Sequence, residues 1–179
     1  MKRTKNQNNK IPVFIGIDNG VSGTIGIIIP DDSFMFKTPT FSEQNYTKKK
    51  GNVTRINSVE LLERLKLYCD NYYMIAGFDV HCMIERPMVN PTRFAATSSA
   101  LRALEATLTV VQQLGFAYSY IDSKEWQKVL LPKGSKKEQL KSDSKDIACR
   151  LFPKHRELIQ KHKDGDGILI AEYCRRFYK

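Results

Sequence analysis

Apolar and polar positions divide the chain into short strands that end in acids and helices that carry an apolar stripe. Val13 to Ile17 is β-branched and aromatic on both faces, the pattern of a central strand rather than an edge. Asn19-Gly20 and Ser22-Gly23 then reverse the chain, and Thr24 to Ile29 supplies a second strand, so the two read as a hairpin. Ser33 to Lys37 reads as a third strand. From Thr40 to Asn57 all apolar periodicity is lost, which predicts a polar loop. Asn57 with Glu60 three residues on marks a helix start, and Leu61, Leu65, Tyr68 and Tyr72 follow as its buried stripe. Val80 to Ile84 is a short apolar strand that ends in Glu85-Arg86-Pro87.

The strongest helical pattern runs from Thr92 to Leu114 without an internal Gly or Pro. It has two faces of low polarity, one with Phe94, Leu101, Leu104 and Leu108 and one with Ala96, Ala100, Ala103 and Val110. That predicts burial on two sides, against a sheet and against another helix or a partner subunit. Phe116 to Ile121 follows a one-glycine link as the next strand, in the manner of a βαβ crossover. A short helix begins at Asp122, a basic loop spans Pro132 to Lys137, and a helix from Ser142 to Phe152 stops at Pro153. The last helix opens on Asp164-Gly165-Asp166-Gly167 and puts Asp166 on the face of Ile170, Tyr173, Cys174 and Phe177. Asp164 fits its N-cap position. The class is α/β.

At 179 residues the chain is expected to be one domain over 11–179, preceded by a disordered basic tail over 1–10. With 41% hydrophobic and 27% charged residues it has the composition of a soluble globular protein. No apolar run approaches the roughly 18–20 residues that span a bilayer, and the polar tail is unlike a signal peptide, so an intracellular, cytoplasmic location is expected. Cys69, Cys82, Cys149 and Cys174 form no Cys-x-x-Cys pair and read as reduced packing residues, which argues against a disulfide framework or a zinc site. His81 stands alone in a strand as a packed side chain, while His155 and His162 fall in a Lys-rich surface segment. No histidine is assigned a catalytic role.

Charge changes the picture most. Lys and Arg number 29 against 19 Asp and Glu, a net +10, which points to a polyanion: nucleic acid first, an anionic membrane surface second. Lys48, Lys49 and Lys50 beside Tyr46 read either as a solvated loop or as an arm that grips a phosphate backbone, and Lys124, Lys128, Lys133, Lys136, Lys137, Lys141 and Lys145 concentrate charge in one third of the chain. Against this background three places present acids at element ends: Asp18, Glu85, and Asp164 with Asp166. Asp18 alone reads first as a turn residue. If the acids converge, their repulsion requires cations or raised pKa values, and oxygen-only ligands suit Mg²⁺ or Mn²⁺. Two such ions support phosphodiester hydrolysis, so acids and basic surface together predict a nuclease.

Gly16-Ile17-Asp18-Asn19-Gly20, Met83-Ile84-Glu85, the long small-residue helix and Asp164-Gly165-Asp166-Gly167-Ile168-Leu169-Ile170-Ala171 together resemble the RuvC family of Holliday junction resolvases, particularly its phage-type members. The resemblance runs from about Ile11 to Tyr178. It implies an RNase H-like fold: a mixed five-stranded sheet, its first three strands antiparallel, flanked by helices. It further implies a homodimer that resolves four-way DNA junctions in recombination, repair or phage DNA processing. Asp18, Glu85, Asp164 and Asp166 would be the catalytic acids that hold two Mg²⁺ or Mn²⁺ ions, and lysines among Lys124, Lys128, Lys136 and Lys137 would bind substrate. The family usually separates its last two acids by two or more residues, where here only Gly165 intervenes, and commonly has alanine where this chain has Gly167. Two other readings remain: a binding module of the same fold without catalysis for branched nucleic acid, and an ATP-binding protein, since Gly16 to Thr24 also resembles the phosphate loop of sugar kinases and actin-like ATPases.

Overall fold

β1 (Ile11–Ile17) forms where the β-branched run predicts it, and β2 (Thr24–Ile29) and β3 (Asp32–Lys37) follow through tight turns. The protein is seen here as a computed structural model that describes residues 10–178 apart from 47, 49 and 74–76; the side chains of 69–73 and 78 are also outside the description. The expected tail over 1–10 therefore lies outside the described residues except for Lys10, as does Lys49, and Tyr72 and Cys69 are described by backbone alone.

The segment from Thr40 to Asn57 corrects the sequence reading. Instead of a loop it holds a separate hairpin, β4 (Thr40–Gln44) paired antiparallel with β5 (Asn52–Ile56). Six of its ten residues are exposed and its apolar side chains are only Phe41, Val53 and Ile56, so no alternation of apolar side chains marks it as strand. Helix α1 (Ser58–Tyr73) starts as expected: Asn57 Oδ1 accepts from the Glu60 amide at 3.1 Å, and Asn57 Nδ2 donates to the Glu60 carboxylate at 3.3 Å. Leu61 and Leu65 are fully buried, and Tyr68 packs on Phe34 and Phe36.

β6 (Phe78–Glu85), α2 (Phe94–Gln113) and β7 (Ala117–Ile121) form the crossover. Gly115, at φ +67°, supplies the left-handed residue that ends α2 and turns the chain into β7. Only part of α2 is covered: Ala103, Thr107, Val110 and Val111 are buried, whereas Phe94 is 79% and Leu101 41% exposed. Burial along both predicted faces thus holds for the second half of the helix, whereas in the first half Phe94 to Ala96 and Leu101 are exposed, Thr97 to Ala100 are half-buried and Ala103 is buried.

Four helices complete the chain: α3 (Ser123–Leu130), α4 (Leu140–Leu151), α5 (Arg156–Lys161) and α6 (Asp166–Phe177). α5 lies in the segment read from sequence as lysine-rich surface; its Ile159 is fully buried and His162 just beyond it is buried too. Strand order in the main sheet is β3-β2-β1-β6-β7, with β1–β2 and β2–β3 antiparallel and β1–β6 and β6–β7 parallel. This is the mixed five-stranded sheet that the family resemblance implies. One core packs α1 and α2 on Ile15, Ile17, Ile25, Ile27 and Ile84; the other packs α3 to α6 on Ile28, Met35 and Met83. Buried Cys82, Cys149 and Cys174 are thiols that serve as packing residues. Among the described residues no helix is long and apolar enough to cross a membrane.

Candidate metal centre

Sheet register brings the first two acids together. Ile17 of β1 pairs with Ile84 of β6, so Asp18 and Glu85, each the next residue, emerge side by side at the same edge. The last helix is then laid across β1 and β2 at a crossing that tolerates almost no side chain. A Cβ on Gly16 would overlap the backbone of Gly167 and Ala171, one on Gly26 would overlap Ile168, and one on Gly167 would overlap Thr24. Gly167 therefore does more than weaken a helix start: its lack of a side chain lets α6 press on the sheet.

That contact is locked by Thr24, whose Oγ1 accepts from the Gly167 amide at 3.0 Å while its carbonyl accepts from the Asp18 amide at 3.0 Å. Gly23, whose Cβ would overlap the Asp18 carbonyl, keeps the turn tight against the acid. Asp164 is not the N-cap of α6, a position taken by Gly165; it lies one residue earlier and is almost wholly buried. Gly165 itself is packed against Ala148 of α4, where a Cβ would overlap, and its amide donates to Ser144 Oγ at 3.1 Å. The one-residue spacing is thus fitted to α4.

The result is a cluster in which one carboxylate oxygen each from Asp18, Asp164 and Asp166 lies within 4.8 Å of the others. Asp18 Oδ2 is buried without a hydrogen-bond partner, since Lys163 Nζ stands 3.7 Å away. Glu85 adjoins the cluster, its Oε2 accepting from Trp126 Nε1 at 2.9 Å. Burial pushes the Asp18 carboxyl up to about 6, with Asp164 adding to the shift and Lys163 opposing it. Burial likewise raises Glu85 to about 7, the Trp126 bond working against it and the charges of Asp18 and Asp164 with it. Asp166 rises to about 8 through burial and the charge of Asp164, against a hydrogen bond from the Ser144 hydroxyl. Crowded, desolvated carboxylates with an orphaned oxygen and only oxygen donors are what a hard divalent cation requires, so these residues fit Mg²⁺ or Mn²⁺.

Four further residues of the site escape sequence reasoning: Trp126, Ser144, His162 and Lys163. His162 Nδ1 lies 3.3 Å from the Asp164 carbonyl, and burial holds its imidazole below the usual range. It is a buried neighbour of the acids, where the sequence reading placed it on the surface. His81 is a packed side chain as expected, 3.0 Å from Ser119 Oγ and stacked on Tyr178. The predicted basic residues sit outside the cluster. Lys48 and Lys50 are exposed on the β4–β5 connection, and Lys136 and Lys137 are exposed ahead of α4. Lys124 and Lys128 are exposed on α3, where they line a cleft of about 360 Å³ with Lys133. The same helix carries Trp126, so α3 links the basic face to Glu85.

No family model matches the sequence, and no curated protein matches it. Among solved structures the chain is similar to Thermus thermophilus RuvC in complex with a Holliday junction substrate, at 13% identity and a TM-score of 0.49, covering 93% of this chain and 96% of that one. It is similar to another Thermus thermophilus RuvC structure at 13% identity and a TM-score of 0.48, covering 92% and 95%.

Proposed function

We propose that this chain is a divalent-metal-dependent endonuclease that resolves branched DNA, with four-way junctions as its preferred substrate. The observation that carries the reading is the convergence of Asp18, Asp164 and Asp166 beside Glu85 at one edge of the sheet. These four acids would hold Mg²⁺ or Mn²⁺, two ions in our reading. Bound there, the cations would stabilise negative charge building on the phosphate oxygens and lower the pKa of a water so that it can supply a hydroxide nucleophile.

The chain's own residues prepare that chemistry. Thr24 and the glycine crossing fix Asp18 relative to Asp166, and Trp126 holds Oε2 of Glu85, leaving Oε1 as the atom available to a metal or a proton. A proton held on Asp166 at neutral pH, and in part on Glu85, must leave when metal enters, which couples metal affinity to pH. Lys48 to Lys50, Lys124, Lys128, Lys136 and Lys137 are assigned to the phosphate backbone, a role that positions DNA without reading sequence. The exposed apolar side chains of Phe94 and Leu101 on the first half of α2 support assembly as a homodimer.

The test is cleavage of end-labelled four-way junction, fork and linear duplex side by side, with Mg²⁺, with Mn²⁺ and with chelator. Metal-dependent cutting strongest on the junction is expected. Tight junction binding with no cutting under any metal would favour a purely architectural binding module and overturn the proposal.

A further inference from the structure

Lys163 stands between acids from two different elements. Its Nζ is 3.4 Å from Asp164 Oδ2 and 3.7 Å from Asp18 Oδ2, so one ammonium lies across two of the three clustered carboxylates. The three partners differ in freedom. The side chain of Asp164 is 2% exposed and that of Asp18 12%, but that of Lys163 is 39% exposed. The acids are held by the fold, whereas the lysine has a solvent-facing side and a flexible four-carbon stem on which to withdraw. Among the described residues it is the sole Lys or Arg in an ion pair with this cluster.

We propose that Lys163 is a tethered counter-cation of the metal site: its ammonium balances Asp18 and Asp164 in the metal-free protein, and a divalent ion must displace it to bind. The inference rests on the metal reading above and adds what sets the affinity. A cation that collects the oxygens of Asp18 and Asp164 takes the position the ammonium now serves, and two like charges do not share it. Lys163 is therefore a positioning residue that tunes occupancy, keeping the acids together at low metal and raising the metal concentration needed to fill the site. A lysine that served as a clamp, preshaping the acids for metal, would act in the opposite direction. The sign of one measurement separates the two.

The experiment is titration of chelator-stripped protein with Mn²⁺ by calorimetry, for the parent, Lys163→Met and Lys163→Arg, with the melting temperature of each read in chelator and in Mn²⁺. Methionine keeps the length and apolar stem without the charge. Lys163→Met is expected to bind Mn²⁺ more tightly by at least about tenfold, the scale on which a neighbouring charge shifts a carboxylate's proton affinity. It should melt lower than the parent in chelator and gain more from Mn²⁺, while Lys163→Arg stays near the parent in both. An affinity for Mn²⁺ that is unchanged or weaker in Lys163→Met overturns the proposal and leaves the metal site standing. A parent that binds no Mn²⁺ overturns both. Should Lys163→Met fail to fold in chelator, Lys163→Gln is titrated after folding in Mn²⁺ and exchange, and the same affinity criterion decides.

Discussion

Gly167 donates its amide to the hydroxyl of Thr24 across 3.0 Å, tying the first turn of α6 to the first residue of β2. Because the Thr24 carbonyl also accepts from the Asp18 amide, one threonine sets the strand-end acid and the helix-start acid relative to each other. The geometry of the acid cluster is in this sense a packing result, set by a threonine and glycines outside the cluster.

Gly167→Ala tests that dependence. Helix propensity alone favours alanine by about 1 kcal/mol. The added Cβ, however, meets the Thr24 backbone, which cannot yield like the end of a flexible side chain, and overpacking of this kind costs about 1–3 kcal/mol. The clash is expected to win. Thermal melting should show a midpoint lower by several degrees, at about 2–4 °C per kcal/mol for a chain of this size; an equal or higher midpoint would show that α6 can lift off the sheet at no cost.

A second expectation concerns pH. Asp18, Glu85 and Asp166 have folded-state pKa values raised to about 6, 7 and 8, so the metal-free folded state binds more protons than the unfolded chain. Their protonation stabilises the fold fully below the unfolded carboxylate pKa and is lost as pH rises through the folded values. Burial lowers the pKa of His81, His155 and His162, which contributes in the opposite direction as pH rises through the ordinary histidine value. The clean window is therefore about pH 7 to 8, where Glu85 and Asp166 still titrate and the histidines are neutral. In chelator the melting temperature should fall across it, and Asp166→Asn should flatten the fall. A parent midpoint that rises with pH there would contradict the electrostatic picture of the site.

Trp126→Phe keeps the buried ring but removes the donor to Glu85. That hydrogen bond lowers the Glu85 pKa, so its loss should move the acid limb of the pH–rate profile for cleavage to higher pH. An unshifted limb accompanied by a lower rate at every pH would instead assign Trp126 to packing alone.

For the basic surface the measurement is salt dependence. Replacing both Lys136 and Lys137 by Ala should weaken binding to any branched DNA and lower the slope of log affinity against log salt by roughly one unit for each phosphate left without its lysine. A slope equal to the parent's would return both residues to the solvated surface.

Much of this arrangement is legible in the sequence because the strands that carry it are continuous apolar runs. Ile17 and Ile84 each announce an acid by ending a buried strand, and register then makes Asp18 and Glu85 neighbours. The β4–β5 hairpin was not legible, since Phe41, Val53 and Ile56 are too few and too scattered to give a period-two signal. Lys163, Trp126 and Ser144 were hidden for another reason. Each belongs to the site only through tertiary contact, and nothing in local spacing says which lysine of many faces Asp18, or that the chain's single Trp donates to an acid 41 residues away. The one-glycine spacing of Asp164 and Asp166 differs from the pattern of the family that the sequence resembles. Packing of Gly165 against Ala148 gives it a physical reason.

The most direct measurement is the single-turnover rate of metal-dependent cleavage of a labelled four-way junction by Asp18→Asn beside the parent, with junction binding measured in the same samples. Asparagine preserves the shape of the side chain and removes its charge. Cleavage is expected to be at least about a hundredfold slower, roughly 2.7 kcal/mol of lost transition-state stabilisation, with binding retained. An Asp18→Asn variant that binds and cuts as fast as the parent would show that the clustered acids do not carry the reaction.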